Sequence, residues 1–234
     1  MSALGNIKVR TLRDVAYESI KESILRHELM PGESLTITKL SEKLGISPTP
    51  IREAVVRLSN EGILDYEANK RIRVSQINRN DVAEIYEARR VLEIYISRKI
   101  VQRLQLNQPL SKKLETLKKE TGELLDTQKD PEHYASIDLK LHELFLDMMD
   151  NEILKELFYI LGNKSLRIRT FVEALNQDIS ESGTAMQNSA REHLAIIEAL
   201  LGGNEDRVVA AVETHLLNSE RRTLEYLEDY FKTL

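Results

Sequence analysis

The sequence predicts a mostly α-helical protein of two domains, a small N-terminal one that includes a short β-hairpin and a larger one that is all helical. Three observations lead to this prediction. Apolar residues recur at helical spacing over most of the 234-residue chain, strand-like alternation is confined to residues 63–75, and turn residues separate the periodic segments. The apolar pattern lapses around residues 76–80, so we divide the chain into domains 1–76 and 77–234.

A pair of short helices within residues 36–61 is the most distinctive feature of the N-terminal domain. Leu40 and Leu44 form the apolar face of the first helix, and Gly45 ends it. The apolar positions of the second helix are spaced i, i+3, i+4 and i+7, as on one side of an α-helix: Ile51, Ala54, Val55 and Leu58. Two short helices joined by a tight glycine turn predict a helix-turn-helix.

The elements around this pair follow from similar signals. A helix is predicted over residues 11–26, and Pro31-Gly32 ends that region. Its buried side is expected to carry Val15, Ile20, Ile24 and Leu25. At the start of the second helix of the pair, Ser47 offers a capping hydroxyl, and Pro48 and Pro50 lie in the first turn, where proline costs little.

The face of the second helix opposite its apolar stripe is polar. It carries Thr49, Arg52, Val56, Arg57 and Asn60. Arginine forks can bind guanine edges or phosphates, and hydroxyl and amide groups suit either partner. The pattern therefore indicates DNA binding, although an ordinary surface helix with two arginines would look the same.

A predicted β-hairpin after the second helix favours the DNA-binding interpretation. Residues 63–66 and 72–75 alternate as short strands, and residues 67–71 form the tip between them. The tip is basic, with Lys70, Arg71 and the nearby Arg73, and it can reach the DNA backbone or minor groove. The N-terminal domain is therefore predicted to be a winged helix-turn-helix.

The segment LSEKLGISPTPIREAVVRLSNEGIL, residues 40–64, resembles the winged-helix domain of the GntR family of bacterial transcription regulators. The upstream residues Leu29, Pro31, Gly32 and Leu35 match as well. The resemblance implies a homodimer that binds double-stranded operator DNA. Two positions depart from the family pattern: Pro48 stands where an arginine is usual, and the wing tip lacks the glycines of many members. One expected DNA contact is therefore missing or supplied elsewhere.

Composition and charge are compatible with this interpretation. Residues 1–76 hold 12 Lys and Arg against 10 Asp and Glu, whereas residues 77–234 hold 21 against 28, so basic character is concentrated in the N-terminal domain. There are no cysteines, which excludes disulfides and thiolate metal sites. The N-terminus lacks an apolar core of signal-peptide length and no apolar run approaches a membrane span, so we expect a cytoplasmic protein without a membrane partner.

The second domain is predicted to be an α-helical bundle, because strand signals vanish after residue 80. Turn residues delimit six helices, at 81–105, 110–128, 131–149, 151–175, 185–202 and 204–231. Residues 178–183 are the most loop-like stretch. The expected core includes Ile85, Leu92, Leu141, Phe145, Leu157, Ile196 and Leu200.

Three of the five histidines lie at positions that suggest a metal site. Asp138 and His142 are four residues apart on one predicted helix, and His193 and His215 lie on the last two helices among apolar residues. Such a set could converge on one divalent metal in the bundle core. The alternative is that each histidine is a hydrogen-bonded core residue. His27 and His133 are interpreted as surface residues.

The segments DLKLHELFLDMMDN, REHLAIIEALLGGN and AAVETHL resemble the metal-binding signature of the FCD domain, the effector-binding domain of the FadR-type branch of the GntR family. The six-helix count is similar to the VanR-like subgroup. The resemblance implies Asp138, His142, His193 and His215 as metal ligands. It also implies that a small organic acid binds near Arg89 and Asn151. Effector-induced release of DNA, and hence repression, is the commoner behaviour in the family.

An N₃O donor set suits Zn²⁺, with Ni²⁺ or Mn²⁺ as alternatives, and leaves coordination positions for a carboxylate. Two other functions stay open at this point. One is a metal-dependent hydrolase or isomerase with Glu143 or Glu192 as base, although each adjoins a ligand in sequence and should point to another helical face. The other is a structural metal in a regulator that has no effector.

Overall fold

The computed structural model describes residues 10–66, 71–104, 108–127, 131–175 and 179–232. The chain divides into two compact units, Met1–Ile77 and Asn78–Leu234. The boundary expected from the sequence lies one residue earlier. Most of the described chain is helical and one small sheet accompanies the helices, so the predicted fold class is confirmed. Within the described residues, no helix is both long and apolar enough to cross a membrane.

The described residues of the first unit form three helices and a three-stranded antiparallel sheet. Its elements are α1 (Leu12–Leu25), β1 (Ser34–Leu35), α2 (Ile37–Leu44), α3 (Pro48–Asn60), β2 (Leu64–Tyr66) and β3 (Ile72–Val74). Strand β3 lies between the other two, with Val74 opposite Leu64 and Arg73 opposite Ser34. β1 was not predicted, because two residues are too few to show the alternation of a strand.

Side chains and glycine define most helix ends in the first unit. Thr11 and Asp14 form a capping box at the start of α1, and the hydroxyl of Thr36 caps α2. Gly45 ends α2 in the left-handed conformation with φ 66°. The predicted side-chain cap at α3 is wrong, because Ser47 makes no capping hydrogen bond. Pro50 occupies the third helical position and has no N–H for a serine to accept.

The buried stripe of α3 matches its predicted spacing. Ile51, Ala54, Val55 and Leu58 are completely buried and pack against α1 and α2. The prediction for α1 is partly wrong: Ile20 and Ile24 are buried, but Val15 is exposed and Leu25 is half-buried. Tyr17 is buried instead, since its ring fills the core while its hydroxyl donates to Glu61.

The turn after α1 corrects one of the histidine predictions. His27 adopts a left-handed backbone conformation with φ 57°. It was expected at the surface, but it is half-buried and both of its ring nitrogens are shielded from solvent. The chain must reverse immediately after the helix, which turns this side chain toward the protein. The side chain of His133 lies outside the described residues.

The second unit is an all-α bundle over its described residues. Its helices are α4 (Arg79–Leu104), α5 (Gln108–Thr127), α6 (Pro131–Asp147), α7 (Glu152–Leu175), α8 (Ile179–Leu201), α9 (Glu205–Tyr226) and the short α10 (Glu228–Phe231). α4 packs against α5, α6, α7, α8 and α9, so it is the central helix of this unit. α8 in turn packs against α5, α6 and α9.

Two predicted helix limits in this unit are wrong. Residues 179–183 of the stretch expected to be a loop, 178–183, belong to the beginning of α8, because serine and glycine are tolerated in a first turn when the rest of the helix packs well. The expected long last helix ends at Tyr226 and continues as α10 after Leu227. Elsewhere, Gly203 and the capping side chain of Asn204 separate α8 from α9, as the sequence indicates.

Most of the expected core of the second unit is buried. Leu92, Leu141, Phe145, Ile196 and Leu200 all lie in the interior. Two positions differ: Ile85 is half-buried, and Leu157 is 46% exposed. α7 carries apolar residues on more than one face, so periodicity alone does not identify the face that packs on the bundle.

We expect Leu58→Ala to lower the free energy of unfolding of the first unit by about 2–5 kcal/mol, because it leaves a cavity between α3 and α1. Val56→Ala on the same helix is the control, since Val56 is 44% exposed and should change stability by less than about 0.5 kcal/mol. Chemical denaturation followed by circular dichroism measures both. Equal effects of the two substitutions would contradict the assigned packing of α3.

Candidate functional site

The exposed face of α3 presents the polar groups that the sequence indicated for DNA contact. Thr49, Arg52, Arg57 and Asn60 are all exposed, on the side opposite the buried stripe. Arg52 has no ionic partner within the described part of the chain, so its guanidinium is available to phosphates or base edges.

Arg57 differs from Arg52 because it is held within the first unit. Its guanidinium lies 3.7 Å from the centre of the Tyr17 ring, and its nitrogens lie 3.7 Å from Asp14 and 3.4 Å from Glu61. The cation–π interaction with Tyr17 and the ion pair with Asp14 join α3 to α1, whereas Glu61 directly follows α3 itself. The sequence placed Arg57 on the DNA-binding face but gave no sign of this role in packing.

The wing is formed by β2 and β3. Arg71 and Arg73 are exposed at and beside its tip, while Lys70 lies outside the described residues. Arg73 pairs in the sheet with Asp65 and Ser34, so its backbone is fixed while its side chain points to solvent. Together with α3, the wing presents basic groups that suit a nucleic-acid backbone.

The bundle brings together the four residues expected to bind metal. Asp138 and His142 lie on α6, His193 on α8 and His215 on α9. The Oδ1 atom of Asp138 is 3.4 Å from Nε2 of His193 and 3.6 Å from Nε2 of His142. The rings of His193 and His215 are 4.5 Å apart between centroids. Three separate helices therefore place one carboxylate and three imidazoles next to each other.

Burial and neighbouring charges fix the protonation of this cluster. Burial, together with the nearby His215, lowers the pKa of His193 to about 3. Burial also lowers the pKa of His142. Burial alone would raise the pKa of Asp138, but the Arg169 guanidinium and the rings of His142 and His193 hold it well below its usual range. His142 and His193 are thus neutral at physiological pH, the form of imidazole that binds metals.

Glu192, which the sequence offered only as a candidate general base, is a hydrogen-bond partner of the histidine cluster. Its Oε2 atom is 2.9 Å from Nδ1 of His215, and it also accepts bonds of 2.7 and 2.8 Å from Arg222 and one of 2.9 Å from Asn218. The expectation that Glu192 points away from the site is therefore wrong. α8 packs directly on α9, so a residue adjacent in sequence to His193 still faces the next helix.

This arrangement orients His215. When Nδ1 donates its proton to Glu192, the lone pair of the ring is left on Nε2. Burial alone would raise the pKa of Glu192, but its hydrogen bonds from Arg222 and His215 lower that pKa to about 2. A carboxylate behind a histidine is the usual means of fixing the tautomer of a metal ligand.

Arg89 lies beside the histidines, and its role in effector binding stays a prediction. It shares a cavity of about 20 Å³ with Glu93, His142, His193, His215 and several apolar side chains. Its Nε atom donates to Glu93 at 2.6 Å, and Nη1 donates to Ser165 at 3.3 Å. Both charges of the Arg89–Glu93 pair are buried, and the carboxylate keeps the pKa of Arg89 raised against the effect of burial.

Asn151 is not brought to this cavity. Its side-chain oxygen accepts hydrogen bonds from the amides of Ile153 and Leu154 and so caps the start of α7. It lines a different, open depression of about 600 Å³, which is bounded by α4 and the turn between α6 and α7 and contains no histidine. This larger depression lies away from the three clustered histidines. The candidate site is therefore the smaller cavity, which the histidines and Arg89 line.

The donor atoms fit a metal in part. Two atoms bound tetrahedrally to one Zn²⁺ at about 2.0–2.1 Å lie roughly 3.4 Å apart, close to the separations from Asp138 to His142 and His193. Over the described ranges, however, no group of three or more His, Cys, Asp or Glu side chains is arranged to hold a metal ion. The second oxygen of Asp138 is bonded to Arg169, whose guanidinium already compensates its charge.

Comparison with known families decides what kind of protein this is. The family described as bacterial regulatory proteins, gntR family, matches residues 12–74, and the FCD domain family matches residues 84–218. The chain belongs to the GntR family. Its first unit is the GntR DNA-binding domain and its second an FCD domain, so the protein is a DNA-binding transcription regulator. The resemblance found in the sequence is confirmed.

Curated relatives and solved structures agree with this assignment. The HTH-type transcriptional regulators YdhC and LutR of Bacillus subtilis (strain 168) are each 26% identical to this GntR-family chain, covering 91% and 86% of it and 89% and 96% of their own lengths. E. coli McbR/YncC has a TM-score of 0.67 at 18% identity, over 95% of this chain and all of that one. The metal-free FCD domain of TM0439 has a TM-score of 0.53 at 22% identity, over 67% of this chain and all of that one.

We expect Glu192→Ala to lower the free energy of unfolding of the FCD domain by about 1–3 kcal/mol, because Arg222 and His215 lose a charged acceptor. The ¹⁵N chemical shifts of His215 should also lose the signature of a proton held on Nδ1. Glu143→Ala is the control, since Glu143 is exposed on α6. A variant with unchanged stability and an unchanged His215 tautomer would contradict the role of Glu192.

Proposed function

We propose that this GntR-family regulator binds operator DNA as a homodimeric repressor and that a small organic acid, held at a metal-containing pocket of the FCD domain, releases it. The observation that carries the proposal is the cluster of Asp138, His142, His193 and His215 beside the buried guanidinium of Arg89. A metal and a guanidinium next to each other provide two positive groups for one carboxylate-bearing ligand.

Zn²⁺ is the proposed metal, with Ni²⁺ and Mn²⁺ as alternatives. The four residues would supply three imidazole nitrogens and one carboxylate oxygen, a set that all three ions accept. Two properties of the residues support this assignment: His142 and His193 are neutral, and His215 is oriented by Glu192. Because Arg169 now compensates Asp138, metal binding competes with that ion pair.

The proposed effector is a small mono- or dicarboxylate. Arg89 uses Nε for Glu93 and Nη1 for Ser165, which leaves further N–H groups of the guanidinium for a ligand. A cavity of about 20 Å³ has room for one water-sized group. Effector binding therefore has to enlarge the cavity, and this requirement links occupancy of the pocket to a change in the packing of α4 and α6.

An enzymatic function is less well supported by the same residues. Glu143 is exposed on α6, and both oxygens of Glu192 are engaged with His215, Asn218 and Arg222. A general base needs an oxygen within reach of the proton that it removes. We therefore propose a regulatory pocket rather than a catalytic centre.

For DNA binding, we propose that Thr49, Arg52 and Asn60 on α3 contact the operator and that Arg71 and Arg73 of the wing contact its backbone. Arg52→Ala should weaken binding by about 1–3 kcal/mol, roughly 5- to 150-fold, since an arginine contact to a base edge or phosphate is lost. The probe is a duplex selected by the protein itself from a random library, with affinity measured by fluorescence anisotropy. Arg26→Ala is the control, because Arg26 directly follows α1 and its side chain is 67% exposed. Unchanged affinity of Arg52→Ala would remove this residue from the interface.

The metal and effector are tested together. Purified protein should carry about one Zn²⁺ per chain, and His193→Ala should lose it while the first unit stays folded. A carboxylate that binds only the zinc-loaded protein should raise its free energy of unfolding by about 2.7 kcal/mol when the carboxylate concentration is ~100 times its dissociation constant. A thermal-shift assay measures this stabilisation. Glu143→Gln should retain both the metal and the response. Absence of metal under every loading condition would leave the histidines as core residues and overturn this part of the proposal.

A further inference from the structure

Glu93 is a buried carboxylate whose two oxygens have different surroundings. It lies on α4, one turn after Arg89, and its side chain is only 9% exposed. Oε1 accepts the bond of 2.6 Å from Nε of Arg89. Oε2 accepts no hydrogen bond from any residue in the described part of the chain. An arginine and a carboxylate can join through two parallel bonds, so this single bond leaves half of the carboxylate unused.

An unused oxygen on a buried carboxylate is unusual in a folded protein. An ionised carboxylate has about four lone pairs, and buried polar groups almost always have hydrogen-bond partners. Glu93 lines the cavity of about 20 Å³ that it shares with Arg89 and the three clustered histidines. A group that enters this cavity can therefore donate a hydrogen bond to Oε2.

The neighbouring guanidinium determines what kind of group is needed there. In the proposed function, the carboxylate of the effector binds beside Arg89, which already compensates the charge of Glu93. Two carboxylates then share one guanidinium and repel each other. A hydrogen-bond donor next to the carboxylate of the effector offsets this repulsion, because it bonds to the unused oxygen of Glu93. A keto oxygen at the same position would add to the repulsion.

A hydroxyl group suits this position better than an ammonium group. The cavity has room for one water-sized group, which is the size of a hydroxyl. Arg89 and the proposed metal are both positive, so they repel a cation between them, whereas a hydroxyl is neutral. A hydroxyl also has lone pairs that can accept from a remaining N–H of Arg89.

We propose that Glu93 determines the specificity of the effector pocket and that the effector is a 2-hydroxy acid, whose hydroxyl donates to Oε2 of Glu93 and whose carboxylate lies beside Arg89. This inference rests on the proposed function, from which it takes the organic acid beside Arg89, and it names the class of that acid. The pocket then distinguishes a 2-hydroxy acid from the 2-oxo acid of the same carbon skeleton, because only the hydroxy acid has a donor. The regulator thus responds to the reduced member of such a pair.

The first test compares three acids that share one carbon skeleton: lactate, pyruvate and propionate. Isothermal titration calorimetry measures their binding to the full-length protein loaded with Zn²⁺. Lactate should bind at least about 10-fold more tightly than pyruvate or propionate, the factor expected for a hydrogen bond to a charged group. Malate and succinate repeat the comparison for dicarboxylates. Alanine, which carries an ammonium group at the same carbon, should bind more weakly than lactate.

The second test changes the acceptor itself. In Glu93→Gln the amide oxygen should stay on Nε of Arg89, because an arginine offers only donors. The amide NH₂ group then replaces Oε2 and offers a donor to the cavity, which suits a keto oxygen. The affinity for pyruvate relative to lactate should therefore rise at least about 10-fold. Retained binding of pyruvate would show that the pocket is intact.

Glu143→Gln is the matched control for this substitution. Glu143 is exposed on α6 and adjoins His142 in sequence, so the same chemical change there should leave the ratio of pyruvate to lactate affinity as in the wild type. Circular dichroism checks that both variants fold. The comparison of acids on the wild type needs no variant, so it decides the proposal if Glu93→Gln does not fold.

The outcomes distinguish this inference from the proposed function. Equal affinities for the hydroxy, oxo and unsubstituted acids overturn the role of Glu93 and leave the carboxylate effector intact; a buried water bonded to Oε2 would give this result. Tighter binding of alanine than of lactate overturns the 2-hydroxy acid. Absence of binding by every acid overturns both the effector pocket and its specificity. A preference for lactate that Glu93→Gln removes and Glu143→Gln keeps supports the proposal.

Discussion

Compensation of buried charge is the constraint on which the second unit depends. Three carboxylates, Glu93, Asp138 and Glu192, approach the histidine cluster, and each is bonded to an arginine: Arg89, Arg169 and Arg222 respectively. Without these guanidiniums the carboxylates would draw protons onto the imidazoles or lose their own charge. With them, His142 and His193 stay neutral, and the site keeps nitrogen donors in a largely apolar bundle.

The same constraint bears on the ligand response that we propose for the pocket. A buried ion pair contributes little net stability when it is intact, yet separating its partners is costly. A ligand that takes over Arg89, or a metal that takes over Asp138, must therefore replace an existing partner. In the structure, Arg89 is bonded to Glu93 and Arg169 to Asp138, and the cavity beside them measures only about 20 Å³. Binding of a ligand or metal there would therefore require these side chains to rearrange.

In the first unit, the two arginines of α3 differ in what they contact. Arg57 lies over Tyr17 and bridges to Asp14, which holds α3 against α1. Arg52, one and a half turns earlier, has no such partners in the described residues and stays exposed. A rigid helix loses less conformational entropy on binding, so the contacts of Arg57 would also favour the DNA contact that we propose for Arg52.

The sequence by itself determined the features that depend on short-range spacing. The i, i+3, i+4 stripe of α3, the left-handed Gly45, the strands of the wing and the helical nature of the second unit all follow from residues within a few turns of each other. Residue type and position singled out the four candidate metal ligands, the family resemblance supported them, and three helices do bring them together. These signals are readable because the periodicity of a helix is a property of the local backbone.

Only the tertiary structure decided which face of each helix is buried and which charged side chains form ion pairs with each other. It turned Glu192 toward His215, placed Leu157 outside the bundle and used Asn151 as a cap of α7. Periodicity shows that a helix has an apolar side. When a helix has apolar residues on two sides, as α7 does, periodicity does not show which side packs on the bundle. Ion pairs such as Arg222 with Glu192 join residues far apart in the chain, so their existence depends on how the helices pack.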